Sequence, residues 1–279
     1  MHVRALVGER HPLSSPSALS RAGQYLADAF RRAGLDVSFH TFDALGGTYR
    51  NVIGVRPGAQ PADPAWILAA HYDTVPGSPG ADDNASGLAV MLEVAQALQA
   101  STLRAPVHFV GFCLEEEDLL GSRAYAAHLR AKQHGVSGAI VLECVGCCRS
   151  EAGSQQVPPG VPIAVPTTGD FLAIVGNAAS RVIVEGLEQA ATRRVPELKT
   201  VPLLVPGNGE MLPDIRRSDH AAFWDAGYPA VMLTDTANFR NPHYHRPTDT
   251  EETLDFLFME RVVQALTVAL QQLAGTSSS

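Results

Sequence analysis

The stretch Trp66–Glu93, WILAAHYDTVPGSPGADDNASGLAVMLE, restricts the fold more than any other part of the 279-residue chain. It opens on an apolar run, Trp66 to Ala70, of the length of a buried strand. It closes on the periodic apolar face of a helix, Leu88 to Leu98, with Gly, Pro, Asp and Asn between the two. A strand that empties into a polar loop and then a helix predicts one β-α unit of an open α/β sheet, and such sheets keep their ligands beyond the carboxyl ends of the strands. His71 and Asp73 leave the strand there, and Asp82 and Asp83 stand just ahead of the helix. Imidazole with carboxylate suits Zn, Mn or Co better than Ca, which prefers oxygen alone. Judged by itself, the stretch is equally compatible with a solvated connection.

The same pattern returns twice. Val107 to Leu114 (VHFVGFCL) reads as a second buried strand, and it discharges into Glu115, Glu116, Glu117 and Asp118 ahead of a helix that runs to about Ala131. Ala139 to Leu142 is a third strand, and it ends on Glu143. Four acids in a row can serve as the first turn of a helix, where they suit its dipole. Three strands that each end in a carboxylate or an imidazole are harder to explain without a cation, because buried carboxylates must be paired or metal-bound.

The remaining chain fills in an α/β domain. Ser15 and Pro16 open a helix with apolar residues at Leu19, Ala22, Leu26 and Phe30, and Gly34 stops it. Leu35–Phe42 and Asn51–Val55 read as neighbouring strands around a Gly-Gly turn. Glu151–Gly169 is a long Gln-, Gly- and Pro-rich loop of the sort that walls a site. Phe171–Val175, Leu203–Val205 and Ala230–Leu233 are strands; Ala178–Thr192, Ala221–Ala226 and Glu251 to about Leu273 are helices. No linker divides the chain, so residues 1–279 are expected as one catalytic domain, with 1–14 and 275–279 as flexible ends.

Charge and cysteines narrow the function classes. A net charge of -8 without a Lys/Arg block argues against a nucleic-acid surface. Cys113, Cys144, Cys147 and Cys148 are too few and too clustered for a disulfide framework, and thiols are expected. No stretch has transmembrane length and the first residues carry charge, so as it stands the chain is expected to be cytoplasmic with no membrane partner, or secreted if a leader precedes it.

AHYD at Ala70–Asp73, GADDNASG at Gly80–Gly87, EEEDLLGS at Glu115–Ser122, ECVG at Glu143–Gly146, SDHAAF at Ser218–Phe223 and YHRPTDT at Tyr244–Thr250 resemble, in order, the motifs of the M28 family of zinc aminopeptidases. The resemblance runs from about Asn51 to the last helix. It implies a three-layer αβα fold on a mixed, mainly parallel eight-stranded sheet, with two zinc ions that Co or Mn can replace. Asp83 would bridge the ions, His71 and Glu143 would complete one, and Glu116 and His245 the other. Glu115 would be the base, Tyr244 would donate to the oxyanion, and Asp73 would orient the His71 ring. The Asp83–Asn84 peptide would be cis. Two positions depart from the family pattern: Glu143 where Asp is common, and Asp118 where Gly is common, which could add a carboxylate at the rim.

By resemblance, peptides or small amino-acid derivatives would be cleaved at a free amino end. A pocket beside the metals, walled by 151–169 and by Ala237–Tyr244 with Phe239, would prefer apolar first residues. Arg216 and Arg217 are candidate contacts to a substrate carboxylate, though an ordinary surface pair explains them as well. His220 is expected to be structural. Two other readings stand beside this one: a single-zinc glutaminyl cyclase, and a non-catalytic binding protein that keeps the metal.

Overall fold

Each central strand sends its even and odd residues into different cores, which is what a sheet covered on both faces requires. In the computed structural model, which describes residues 1–161 and 163–275, Trp66, Leu68 and Ala70 join one apolar cluster while Ile67 and Ala69 join the other. Eight strands form the sheet: β1 Asp36–Ala44, β2 Gly47–Arg56, β3 Ala65–His71, β4 Val107–Phe112, β5 Val136–Glu143, β6 Phe171–Asn177, β7 Lys199–Val205 and β8 Ala230–Thr234. Their order is β1-β2-β4-β3-β5-β8-β6-β7. The pairs β3–β4, β3–β5, β5–β8 and β6–β7 are parallel, and β1–β2, β2–β4 and β6–β8 are antiparallel.

Among the described residues, seven α-helices cover the sheet unequally. α1 His2–Leu6, α2 Pro16–Arg32, α3 Gly87–Ala97, α5 Arg181–Arg194 and α7 Phe256–Leu273 pack on one face. Only α4 Leu120–Ala131 and α6 His220–Asp225 pack on the other. α2 shows why the sequence stops and starts where it does. Pro16 takes the first helical position, Leu19, Leu26 and Phe30 supply the buried stripe, and Gly34 follows with φ +74°. Burying each of those three side chains contributes roughly 1.5–3 kcal/mol.

Parts of the first fourteen residues meet the domain: Val3 and Leu6, one helical turn apart, enter the main core, and Arg10 and His11 are buried, while Met1 and Leu13 are exposed. Gly275 accepts a backbone hydrogen bond from Arg104 at 2.8 Å. Residues 276–279 lie outside the described residues. The last helix begins at Phe256, where Asp255 caps it by accepting from the Phe258 N–H, so Glu251–Thr253 form a separate turn.

One glycine fixes the approach of α4. A Cβ on Gly121 would sit 2.0 Å from the Cys113 carbonyl oxygen, and its own carbonyl accepts from Asn51 Nδ2 at 2.8 Å. The helix can therefore start directly against the end of β4. The short turn Leu114–Leu119 that this leaves carries the adjacent glutamates.

Candidate metal centre

Three parallel strands finish level with one another. The register pairs Ala70 with Gly111 and His71 with Phe112, and Ala69 with Val141 on the other side. His71 is thus delivered by the end of β3, Glu143 by the end of β5, and Glu115 and Glu116 by the turn just after β4. Asp83 comes from the turn Ala81–Ser86 that opens α3, and its peptide bond to Asn84 is cis. His245 comes from the loop after β8.

The two oxygens of Asp83 face two imidazoles. Oδ1 lies 3.1 Å from His71 Nε2, and Oδ2 lies 3.0 Å from His245 Nε2. Glu143 Oε2 is 3.5 Å from His71 Nε2, and Glu116 Oε2 is 3.3 Å from His245 Nε2. The centre consequently has two halves that share one carboxylate. Both nitrogens of His71, both oxygens of Asp83 and Oε1 of Glu116 are buried without a hydrogen-bond partner in the protein. Orphaned buried donors and acceptors are costly. Ligand atoms of His71, Asp83 and Glu116, and of His71, Glu115 and Glu143, fall within 4.8 Å of one another, so a cation fits this donor set. Its mix of imidazole nitrogen and carboxylate oxygen is that of a zinc site.

Burial sets the protonation chemistry here. It drives the Glu115 carboxyl well above its usual range, with Glu143, Glu116 and Asp219 adding to the rise against His71. Burial and the charge of Asp83 push Glu116 up to about 7. Asp83 is also disfavoured by burial, but His245 and His71 outweigh that and hold it well below the normal carboxylate range. For His71, burial opposes protonation, while Glu115, Asp73, Asp83 and Glu143 raise it well above normal. His245, less buried, is raised to about 10 by Asp83 and Glu116.

A set of carboxylates behind the centre holds its backbone. Asp73 Oδ1 and Oδ2 accept from the N–H groups of Glu115 and Glu116, each at 3.1 Å. Its distance to His71 Nδ1 is 3.7 Å, too long for a hydrogen bond, so Asp73 positions the two glutamates instead of capping the imidazole. Asp249 accepts from the N–H groups of Asp82 and Asp83. Asp82 accepts from Gly146 N–H at 2.9 Å and Asn241 Nδ2 at 2.6 Å, and a Cβ on Gly146 would crowd Asp82 Oδ1 to 2.9 Å. Ser218 donates to Glu143 Oε2 at 2.8 Å. Asp82, marked by the sequence with Asp83 as an acid ahead of the helix, thus accepts from Gly146 and Asn241. Asp219 and Asp249 carry no sequence signal beyond their place inside the matched motifs, and Asp235 carries none.

Other residues separate clearly. Asp118 turns away from the site and forks onto Arg123 at 2.7 and 3.1 Å, so it adds no carboxylate at the rim. Arg216 is bound to Asp225 through two 2.8 Å contacts and does not line the recess, whereas Arg217 does, donating to the Tyr244 hydroxyl at 3.0 Å. His220 donates through Nε2 to the Ile215 carbonyl at 2.8 Å and packs edge-on against Trp224; burial pushes its pKa down to about 3. All four cysteines are free. Tyr244 stacks on His245, with ring centroids 3.8 Å apart.

Beside the centre lies a recess of about 90 Å³ whose lining includes Glu143 and Tyr244. Its floor is the β6–β7–β8 part of the face that also carries α4 and α6, formed by Phe171, Ala173, Val175, Val201, Leu203 and Met232. Because β6 runs antiparallel to β8, pairing Ala173 with Thr234, the beginnings of β6 and β7 sit at the edge where β3, β4, β5 and β8 end. Val161, Val165 and Phe239 form the walls, from the two loops expected there. The loops are tied together by buried Arg240, whose Nε donates to Gln155 Oε1 at 2.9 Å while Nη1 donates to the Phe171 and Cys147 carbonyls.

An eight-stranded α/β sheet with imidazole and carboxylate donors converging at its carboxyl edge is the architecture of a metal-binding α/β protein. Residues 51–269 match the model of peptidase family M28, and the chain belongs to that family. It is 34% identical to the uncharacterised protein YfbL of Escherichia coli K12, over 96% of this chain and 85% of that one. It is 29% identical to aminopeptidase YwaD of Bacillus subtilis over 78% of this chain but 42% of that protein. The zinc aminopeptidase BSAP of B. subtilis superposes with a TM-score of 0.63 at 26% identity, covering 82% of this chain and 50% of the other. The chain therefore spans about half the length of these two aminopeptidases. LapA of Legionella has the same fold, with a TM-score of 0.76 at 18% identity, covering 98% of this chain and 70% of that one. Among the described residues, no helix is long and apolar enough to cross a membrane.

Proposed function

We propose that this metallopeptidase is an aminopeptidase with a dinuclear zinc centre that removes apolar N-terminal residues from peptides. The observation that carries the reading is the placement of the Asp83 oxygens, one toward His71 and the other toward His245. His71 and Glu143 would hold one ion and Glu116 and His245 the other, with Asp83 shared. Zinc bound there supplies Lewis acidity toward water and toward a peptide carbonyl.

The chain's own groups supply the rest. Glu115 is buried with Oε2 3.9 Å from His71 Nε2, farther from that nitrogen than Asp83 or Glu143, so it stands beside that half of the donor set. A carboxylate so placed takes the proton of the attacking water and returns it to the leaving amine. Asp73 keeps Glu115 and Glu116 pointing to different tasks by holding both of their N–H groups. The Tyr244 phenol, with Arg217 donating to its oxygen, keeps its own proton free for the oxyanion. The acidic lining, Glu115 with Glu116, suits a protonated amine better than a carboxylate. The apolar sheet floor suits Leu, Met or Phe.

Metal analysis after native purification should give two zinc ions per chain. A count of one would favour a single-zinc cyclase. Turnover of Leu-4-nitroanilide should be lost on N-acetylation and should exceed that of Glu-4-nitroanilide. Turnover insensitive to acetylation would refute recognition of a free amine, and preference for Glu would refute the apolar pocket.

A further inference from the structure

Arg10 precedes the family-matched span 51–269, yet its guanidinium is buried behind the metal loop. Nε donates to the Tyr72 carbonyl at 2.9 Å, between His71 and Asp73 in the chain. Nη1 donates to the carbonyls of Leu6, of Gly8 at 2.7 Å and of Pro79 at 3.0 Å, and Nη2 to Gly80 at 3.0 Å. The Arg10 N–H donates to Thr74 Oγ1 at 2.9 Å. A Cβ on Gly80 would lie 2.8 Å from Nη2 and 2.4 Å from the Asp83 carbonyl oxygen, so the cation sits directly behind the Asp83 turn.

The choice of partners matters. Among the described residues Arg10 makes no ion pair; five carbonyls solvate it, and carbonyls leave its charge in place where a carboxylate would cancel it. The carboxylates that act on it most are Asp73, Asp83, Asp249 and Glu116, two of them in the metal centre and two holding its backbone. A fixed positive charge at this position offsets the mutual repulsion of those carboxylates. The same charge would repel a divalent cation held by Asp83 and Glu116.

We propose that Arg10 is a positioning residue for the metal centre, a built-in cation that holds the carboxylate cluster together before zinc binds and that opposes zinc once it is bound. The inference rests on the zinc reading of the centre. It gives the opposite sign from a simple clamp. Loss of a clamp loosens the ligands and weakens zinc binding. Loss of a compensating charge destabilises the metal-free state more than the loaded one, which by linkage tightens zinc binding.

The test compares wild type, Arg10→Met and Arg10→Lys by zinc competition against a chromophoric chelator and by Tm in the metal-free and zinc-loaded states. Arg10→Met should lower Tm more without zinc than with it and should bind zinc roughly tenfold more tightly. Arg10→Lys, which keeps the charge and loses most of the hydrogen bonds, should bind zinc with near wild-type affinity. The proposal is overturned if Arg10→Met binds zinc more weakly, if its two Tm values fall equally, if it fails to fold with zinc as well as without, or if Arg10→Lys matches the affinity of Arg10→Met. Zinc binding by wild type is scored separately. Its absence would remove the zinc reading, and this inference with it.

Discussion

Ser218 donates its hydroxyl hydrogen to Glu143 Oε2, the same oxygen that lies 3.5 Å from His71 Nε2. Glu143 has one methylene more than the aspartate common at this position in the family, and the hydroxyl restricts where that longer arm can point. Ser218→Ala should therefore leave the fold intact and weaken zinc at the His71 half by about 10- to 100-fold. Zinc titration resolves this, and unchanged affinity would show that Glu143 is held by packing alone.

Glu115 and Glu116 are neighbours with different surroundings. Glu115→Gln should retain both metals and lose about 10²–10⁴-fold in kcat, because the amide cannot take a proton. Glu116→Ala should lose metal from the His245 half. Metal content measured beside kcat separates the two, and a Glu115→Gln enzyme that loses zinc would place Glu115 among the ligands.

Metal removal should expose a pH dependence. Burial raises Asp219 and Asp249 to about 7, and burial with the Asp83 charge does the same for Glu116. A carboxyl whose folded pKa is raised contributes stability that is full below its unfolded value near 4 and is lost as pH rises through 7. His245, at about 10 when folded, has the same sign and keeps its contribution to higher pH. His220, with its pKa pushed down to about 3, opposes them below its unfolded value of 6.5, as do His2, His40 and His108, each lowered by burial. Glu115, His71, Asp82 and Asp235 are also raised, so the groups of the first sign outnumber these four and the metal-free protein should melt higher at about pH 5.5 than at about pH 8. Zinc should flatten the profile, and a metal-free Tm that rises over this interval would contradict the assigned shifts.

Ala173 lies on the recess floor opposite Thr234. Ala173→Leu should fill part of the recess and raise KM for Leu and Phe substrates while sparing Ala substrates, shifting selectivity by about 10- to 200-fold, the worth of 1–3 kcal/mol. Equal losses on Ala- and Leu-4-nitroanilide would move the specificity pocket elsewhere.

The ligand-bearing strands were legible because β3, β4 and β5 are buried on both faces and read as continuous apolar runs, each stopping at a charged residue. The turn at Asp83 was legible from its adjacent acids. What holds these groups was not legible: Asp249 reaches Asp82 across 167 residues and Asn241 reaches it across 159, and no local pattern reports such a pairing. Adjacent residues also diverged. Arg216 and Arg217 differ by one position on a short turn, which sends one to Asp225 and the other to Tyr244. Arg10 was missed because a polar, charged N-terminal segment has the composition of a loose end, and only its burial against five carbonyls distinguishes it.

The reversal of β6 against β8 divides the labour of this edge of the sheet. Strands β3 and β5 end on candidate metal donors, while β6 and β7 send Phe171, Ala173, Val175, Val201 and Leu203 to the recess floor and no residue to the donor set. Substitutions at those floor positions would leave the donor set in place, whereas Leu172 and Ile174 pack in the opposite core. Changes at the floor positions would reshape the recess while the imidazole and carboxylate set beside it stayed fixed.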